Sequence, residues 1–70
     1  MLAYPNVHSS LDRLNKGGWK MGDLRVQRPE GQVWIVTGHR GKHWIIAQAS
    51  SQAAAWWLAR RQADRLKRKR

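Results

Sequence analysis

Leu24-Arg25-Val26-Gln27-Arg28-Pro29-Glu30-Gly31-Gln32-Val33-Trp34-Ile35-Val36-Thr37-Gly38-His39-Arg40-Gly41-Lys42-His43-Trp44-Ile45-Ile46-Ala47 is the stretch that decides the fold. Two interruptions divide it. Pro29 presets φ for a type I turn, and Gly31 suits the left-handed position that closes a three-residue hairpin loop. His39-Arg40-Gly41 offers the same chemistry for a second loop. Between the loops, Val33-Trp34-Ile35-Val36-Thr37 is β-branched or aromatic throughout. Leu24-Arg25-Val26-Gln27-Arg28 alternates apolar and polar with period two, and His43-Trp44-Ile45-Ile46-Ala47 is again apolar. The pattern predicts three short antiparallel strands.

Three-residue loops would pair Arg28 with Gln32 and Gly38 with Lys42. Val26 then faces Trp34, Leu24 faces Val36, and Trp44 faces Val36 from the other side. One face would carry Leu24, Val26, Trp34, Val36, Trp44 and Ile46 and lie under a helix. The other would carry Arg25, Gln27, Val33, Ile35, Thr37, His43 and Ile45. A slip of one residue in either hairpin exchanges the faces of that strand and turns tryptophans outward. In the preferred register the plain alternative for the mixed face is an ordinary solvated surface, with Val33, Ile35 and Ile45 covered by the N-terminal segment.

Beyond the strands the period changes. Ser51 opens an alanine-rich segment expected to be helical to about Lys67. Ala55, Trp56, Ala59, Ala63 and Leu66 fall on one arc of a helical wheel, and Arg60, Arg61, Asp64 and Arg65 on another. Adjacent Trp56 and Trp57 sit about 100° apart, so both cannot face the sheet. Trp34, Trp44 and Trp56 are expected in the core. Upstream, Ser9 or Ser10 is expected to cap a short helical turn over residues 11–16, ended by Gly17, with Tyr4, Val7, Leu11 and Leu14 available to pack and Trp19 as an anchor. The chain therefore divides into an N-terminal arm (1–18), a βββα domain (19–66) and a basic tail (67–70). The fold class is α+β, with a three-stranded antiparallel sheet packed against one C-terminal helix.

Seventy residues allow one domain. So small a core rarely leaves more than about 3–5 kcal/mol of net stability. There is no cysteine, hence neither a disulfide nor a thiolate metal site. No apolar run reaches the roughly 18 residues of a membrane span, and Met1-Leu2-Ala3-Tyr4-Pro5 lacks the features of a signal peptide. Charge is the informative quantity. Fourteen lysines and arginines face four acids, for a net +10 and a pI near 11.7. A partner with dense negative charge is expected: nucleic acid first, an anionic membrane surface second.

No catalytic constellation is visible. The serines sit in cap or turn contexts, and Asp12, Asp23, Glu30 and Asp64 are scattered. A non-enzymatic protein without a cofactor or small-molecule substrate is expected. His39 and His43 flank one turn, but two imidazoles without a neighbouring carboxylate or thiolate make a poor metal site. Nucleic-acid contacts are assigned instead. Arg25, Gln27, Thr37 and His43 would meet base edges from the sheet, Arg and Gln being able to bond guanine and adenine bidentately. Arg28, His39, Arg40 and Lys42 would act at the hairpin tips, and Arg60, Arg61, Arg65, Lys67, Arg68, Lys69 and Arg70 at the helix end and tail, mostly on phosphates.

The order strand–strand–strand–helix, the Trp-containing second strand Gln32-Val33-Trp34-Ile35-Val36 and the alanine-rich helix start over residues 50–59 resemble two families: the DNA-binding domains of the plant AP2/ERF factors and the arm-binding domains of tyrosine recombinases. The resemblance spans about residues 23–64. It implies a sheet docked in the major groove and a small regulator or architectural factor, cytoplasmic or nucleoid-associated. The chain departs from the plant family in lacking an arginine-rich first strand, whose role would fall to Arg25, Gln27 and Arg28. DNA is thus expected over RNA. The rival readings are an RNA- or ribosome-associated protein, and an interaction module, such as a phage-type inhibitor or a membrane-surface binder using Trp56, Trp57 and the tail.

Overall fold

Helix α1 (Val7–Lys16) is followed by strands β1 (Lys20–Arg28), β2 (Gly31–Arg40) and β3 (His43–Ala49) and by helix α2 (Gln52–Arg68). The computed structural model describes residues 6–68, with side chains as far as Leu66. The strands form one antiparallel sheet in the order β1-β2-β3. The α+β architecture is that expected, with a longer N-terminal helix. Both helices lie on one side of the sheet, where Leu14, Trp19, Val36, Ile45, Ala47, Ala55, Trp56, Ala59 and Ala63 form a single core.

Local chemistry fixes the helix ends. Asn6, not Ser9 or Ser10, caps α1: its Oδ1 accepts from the Ser9 N–H at 2.8 Å. At the other end Gly18 takes φ +89, its N–H reaches the Asn15 carbonyl, and the Trp19 N–H reaches the Leu14 carbonyl, both at 3.0 Å. This is a Schellman motif, completed by contact between Leu14 and Trp19 in the core. It turns the chain from α1 straight into β1. Ser51 caps α2, its Oγ accepting from the Ala54 N–H at 3.2 Å. The expected arc of α2 is the buried one: Ala55 and Ala59 are fully enclosed, Trp56 and Ala63 nearly so, and Leu66 packs at the margin.

The sheet register differs from the expectation. Both connections are two-residue turns, pairing Arg28 with Gly31 and Arg40 with His43. Gly41, at φ +58, stands first in its turn, as type II′ requires. Gly31 joins β2 as a strand residue at φ +136 instead of closing a loop. Arg25 therefore pairs with Trp34, Asp23 with Val36, and Val36 with Ala47. Relative to the expected pairing, one hairpin is shifted by one residue and the other by three. Both shifts are odd, so β1 and β3 turn over while β2 keeps its faces.

The helix side therefore carries Met21, Asp23, Arg25, Trp34, Val36, Gly38, Ile45, Ala47 and Ala49, and Trp44 leaves the core altogether. The physical reason is volume. Trp56 of α2 fills the space over the sheet, so the facing strand must offer the small side chains Ala47 and Ala49 and not Trp44 and Ile46. Gly38 serves the same end, because the Met21 side chain occupies the space that a Cβ at position 38 would take.

Candidate nucleic-acid interface

Strand β3 ends at Ala49, opposite Trp34, whereas the β1–β2 pairing continues to Arg28 and Gly31. The last three pairs form a two-stranded ribbon that extends beyond the three-stranded sheet by about 10 Å, at 3.4 Å per residue. Alternation sets its faces. Arg25 at the base and Gln27 and Gln32 farther out lie on the helix side, whereas Val26, Arg28 and Val33 lie on the other. Arg25, Gln27, Arg28, Glu30 and Gln32 are all exposed. The ribbon gathers Arg25, Gln27 and Arg28 as expected. Thr37 and His39 lie farther along β2 on the open face, which Arg28 shares and Arg25 and Gln27 do not, and His43 lies at the opposite end of the sheet.

That opposite end is the basic one. Lys20 pairs with His39 there, the Gly41-Lys42 turn closes β2 onto β3, and α2 returns past it, with Gln62 bonded to Ile46 and Asp64 to Arg13. Arg40 does not reach outward as a tip residue. Its Nη1 donates to the Gly17 carbonyl at 2.8 Å, and its guanidinium lies 4.7 Å from the centre of the Trp19 ring. Arg40 thus closes the C-terminal end of α1. Together with Arg13, Arg60 and Asp64 it lines a cavity of about 230 Å³. Arg61 lies over Trp57 at 4.9 Å, while Lys42 and Arg65 are exposed. The side chains of Lys67, Arg68, Lys69 and Arg70 fall outside the described ones. His39 and His43 flank their turn on opposite faces, and His39 packs against Trp44 with ring centres 5.1 Å apart.

Few of these charges are neutralised within the protein. Of the ten lysines and arginines among residues 6–66, Arg13 and Lys16 alone sit in ion pairs, with Asp64 and Asp12 at 3.2 Å. Both pairs are exposed and contribute little to stability.

An open sheet face is expected from the sequence, but in the preferred register it is the more polar one, and outward tryptophans belong to the slipped register. The open face of the structure carries Leu24, Val26, Val33, Ile35, Thr37, His39, Trp44 and Ile46, none of which belongs to the core formed with α1 and α2. Trp44 is 71% exposed, and Leu24 and Ile46 are each 60% exposed. The available signal was Gly41-Lys42, since Gly-X is a two-residue hairpin turn. Among the described residues no helix is long and apolar enough to cross a membrane. No family model, curated protein or solved structure matches this chain.

Proposed function

We propose that this protein binds duplex DNA without catalysing a reaction, as a small regulatory or architectural factor. The observation that carries the reading is the projecting ribbon with its exposed Arg25, Gln27, Arg28 and Gln32, on a chain of net charge +10. The major groove of B-form DNA, about 12 Å wide, admits a two-stranded ribbon, and each base pair presents a distinct donor and acceptor pattern there. Arg25 is suited to guanine, Gln27 and Gln32 to adenine, and Glu30 to the amino group of cytosine. Arg28, Lys42, Arg65 and the residues 67–70 supply phosphate contacts that hold the register without reading sequence. A-form RNA has a deep, narrow major groove that side chains cannot read, which favours DNA over an RNA duplex.

The test is a fluorescence anisotropy titration of a labelled duplex at low salt, repeated with a selected preferred sequence. Arg25→Ala and Gln27→Ala are expected to weaken binding to the preferred sequence more than to bulk duplex. Each is worth about 1–3 kcal/mol of discrimination. Absence of duplex binding by the intact chain overturns the reading, as does wild-type selectivity in both variants.

A further inference from the structure

The open sheet face consists of cross-strand rows. Lys20, His39 and Trp44 form the first, Gly22, Thr37 and Ile46 the second, and Leu24, Ile35 and Gln48 the third. Trp44 and His39 make one tilted aromatic pair, with an interplanar angle of 34°. Exposed Lys20 and Lys42 stand beside it. Gly22 bears no side chain, and the space above it is open. This solvent-facing indole, set among cations and next to an aliphatic strip, packs on the His39 ring but takes no part in the core.

We propose that this face holds single-stranded DNA, with an unpaired base stacked on Trp44 and the next lying over Ile46. The inference rests on the DNA-binding reading and adds a second mode to it. Every base offers a π-face, so an exposed aromatic ring binds single strands with little regard to sequence, while neighbouring cations follow the backbone. Trp44 and Ile46 are two residues apart on one face of β3, hence about 7 Å apart.

Charge and polarity decide among the occupants. A second copy would bring another net +10 against Lys20 and Arg28 at the two ends of the face. A bilayer would strip water from Thr37, His39 and Gln48, which the edges and phosphates of a strand can satisfy by hydrogen bonds. The strip of Leu24, Ile35 and Ile46 suits deoxyribose and the thymine methyl group, and offers a ribose 2′-hydroxyl no partner.

The experiment titrates the intact chain with a short oligothymidylate, following tryptophan emission and the anisotropy of the labelled strand, with a labelled duplex in parallel. Trp44→Ala is expected to weaken oligothymidylate binding by about 5- to 150-fold, the range that loss of one stacked base implies. Duplex affinity stays within about twofold, and Trp44→Phe restores most of the single-strand affinity. Position 44 is largely exposed, so folding is not at stake, and thermal unfolding of each variant verifies this. Duplex binding without oligothymidylate binding overturns this inference and leaves the duplex reading standing; binding of neither overturns both. Equal oligothymidylate affinity of wild type and Trp44→Ala also overturns the inference. Tighter binding of oligouridylate overturns the choice of DNA. Dimerisation in sedimentation without DNA, or binding to phosphatidylglycerol vesicles, assigns the face to another occupant if Trp44→Ala abolishes it and oligothymidylate binding is unaffected.

Discussion

Trp56 of α2 donates its indole N–H to Asp23 Oδ2 of β1 at 3.0 Å, and Gln52 Nε2 reaches the same oxygen at 2.9 Å. Trp56 is 4% exposed as a residue, whereas Asp23 is exposed, so the bond lies at the margin of the core. The bond ties the first strand to the last helix across the sheet and helps to place Asp23 on the helix side. Asp23→Ala is expected to lower stability by about 1–3 kcal/mol, through loss of the two hydrogen bonds that the charged carboxylate accepts. Asp23→Asn keeps an acceptor and loses less. A double-mutant cycle with Trp56→Phe, read from urea midpoints, checks the assignment: the cost of Asp23→Ala falls when the indole N–H is already gone.

Gly38 and Met21 form a second interlock, with the Met21 side chain crossing the backbone at position 38. Gly38→Ala is expected to cost about 1–3 kcal/mol through overpacking. Met21→Ala alone leaves a void, yet in that background Gly38→Ala becomes much milder. Thermal unfolding of the four proteins measures the coupling, and additive effects would show that the methionine simply moves aside.

Ser10 runs the other way. Its side chain is fully buried, and its Oγ has no hydrogen-bond partner among the described residues. Its small size lets α1 approach the core, while its hydroxyl contributes only a desolvation cost. Ser10→Ala is therefore expected to leave the fold intact and raise stability by about 1 kcal/mol. A lower urea midpoint in that variant would mean that the hydroxyl has a partner after all.

The elements were legible in the sequence and the register was not. Ser51, the alanines that follow it and the buried arc through Ala59 and Ala63 announce α2 almost to the residue, because capping and periodicity are local. Pro29-Glu30-Gly31 is locally ambiguous, since its chemistry suits both a two- and a three-residue loop. One residue of difference moves Arg25 from the open face to the helix side. The deciding facts are long-range: Trp56 demands Ala47 beneath it and Asp23 beside it. The candidate site inherited that ambiguity. Arg25, Gln27 and Arg28 stay together because they share a strand, whereas Trp44, assigned to the core, is the most exposed of the large apolar side chains on the open face.

Strand β3 is an edge of the sheet, and Gln62 closes it. The Gln62 Nε2 donates to the Ile46 carbonyl at 2.6 Å, and its Oε1 accepts from the Ile46 N–H at 3.2 Å. A side-chain amide thus imitates a neighbouring strand, at the point where an open edge invites pairing with another chain. Gln62→Ala is expected to lose about 1–2 kcal/mol for the two bonds and to increase concentration-dependent association, seen by sedimentation. Gln62→Glu sets a carboxylate oxygen against the Ile46 carbonyl and is expected to behave no better.

Salt dependence separates the contributions of the ribbon and the tail to duplex binding. Each phosphate neutralised steepens log K against log salt by about 0.9. Removing residues 67–70 takes away four cations and is expected to flatten the slope by up to about 3.6 and to weaken all duplexes alike. Arg25→Ala removes one cation that is assigned to a base edge, so its slope changes by at most about 0.9 while its sequence preference falls. Anisotropy titrations over a salt series read both quantities from the same curves. A truncated chain that keeps the full slope would place the neutralising cations on the described surface, at Lys20, Lys42, Arg60 and Arg65. The reverse result, a flat slope with selectivity intact, would leave the ribbon as the reader and residues 67–70 as the main source of affinity.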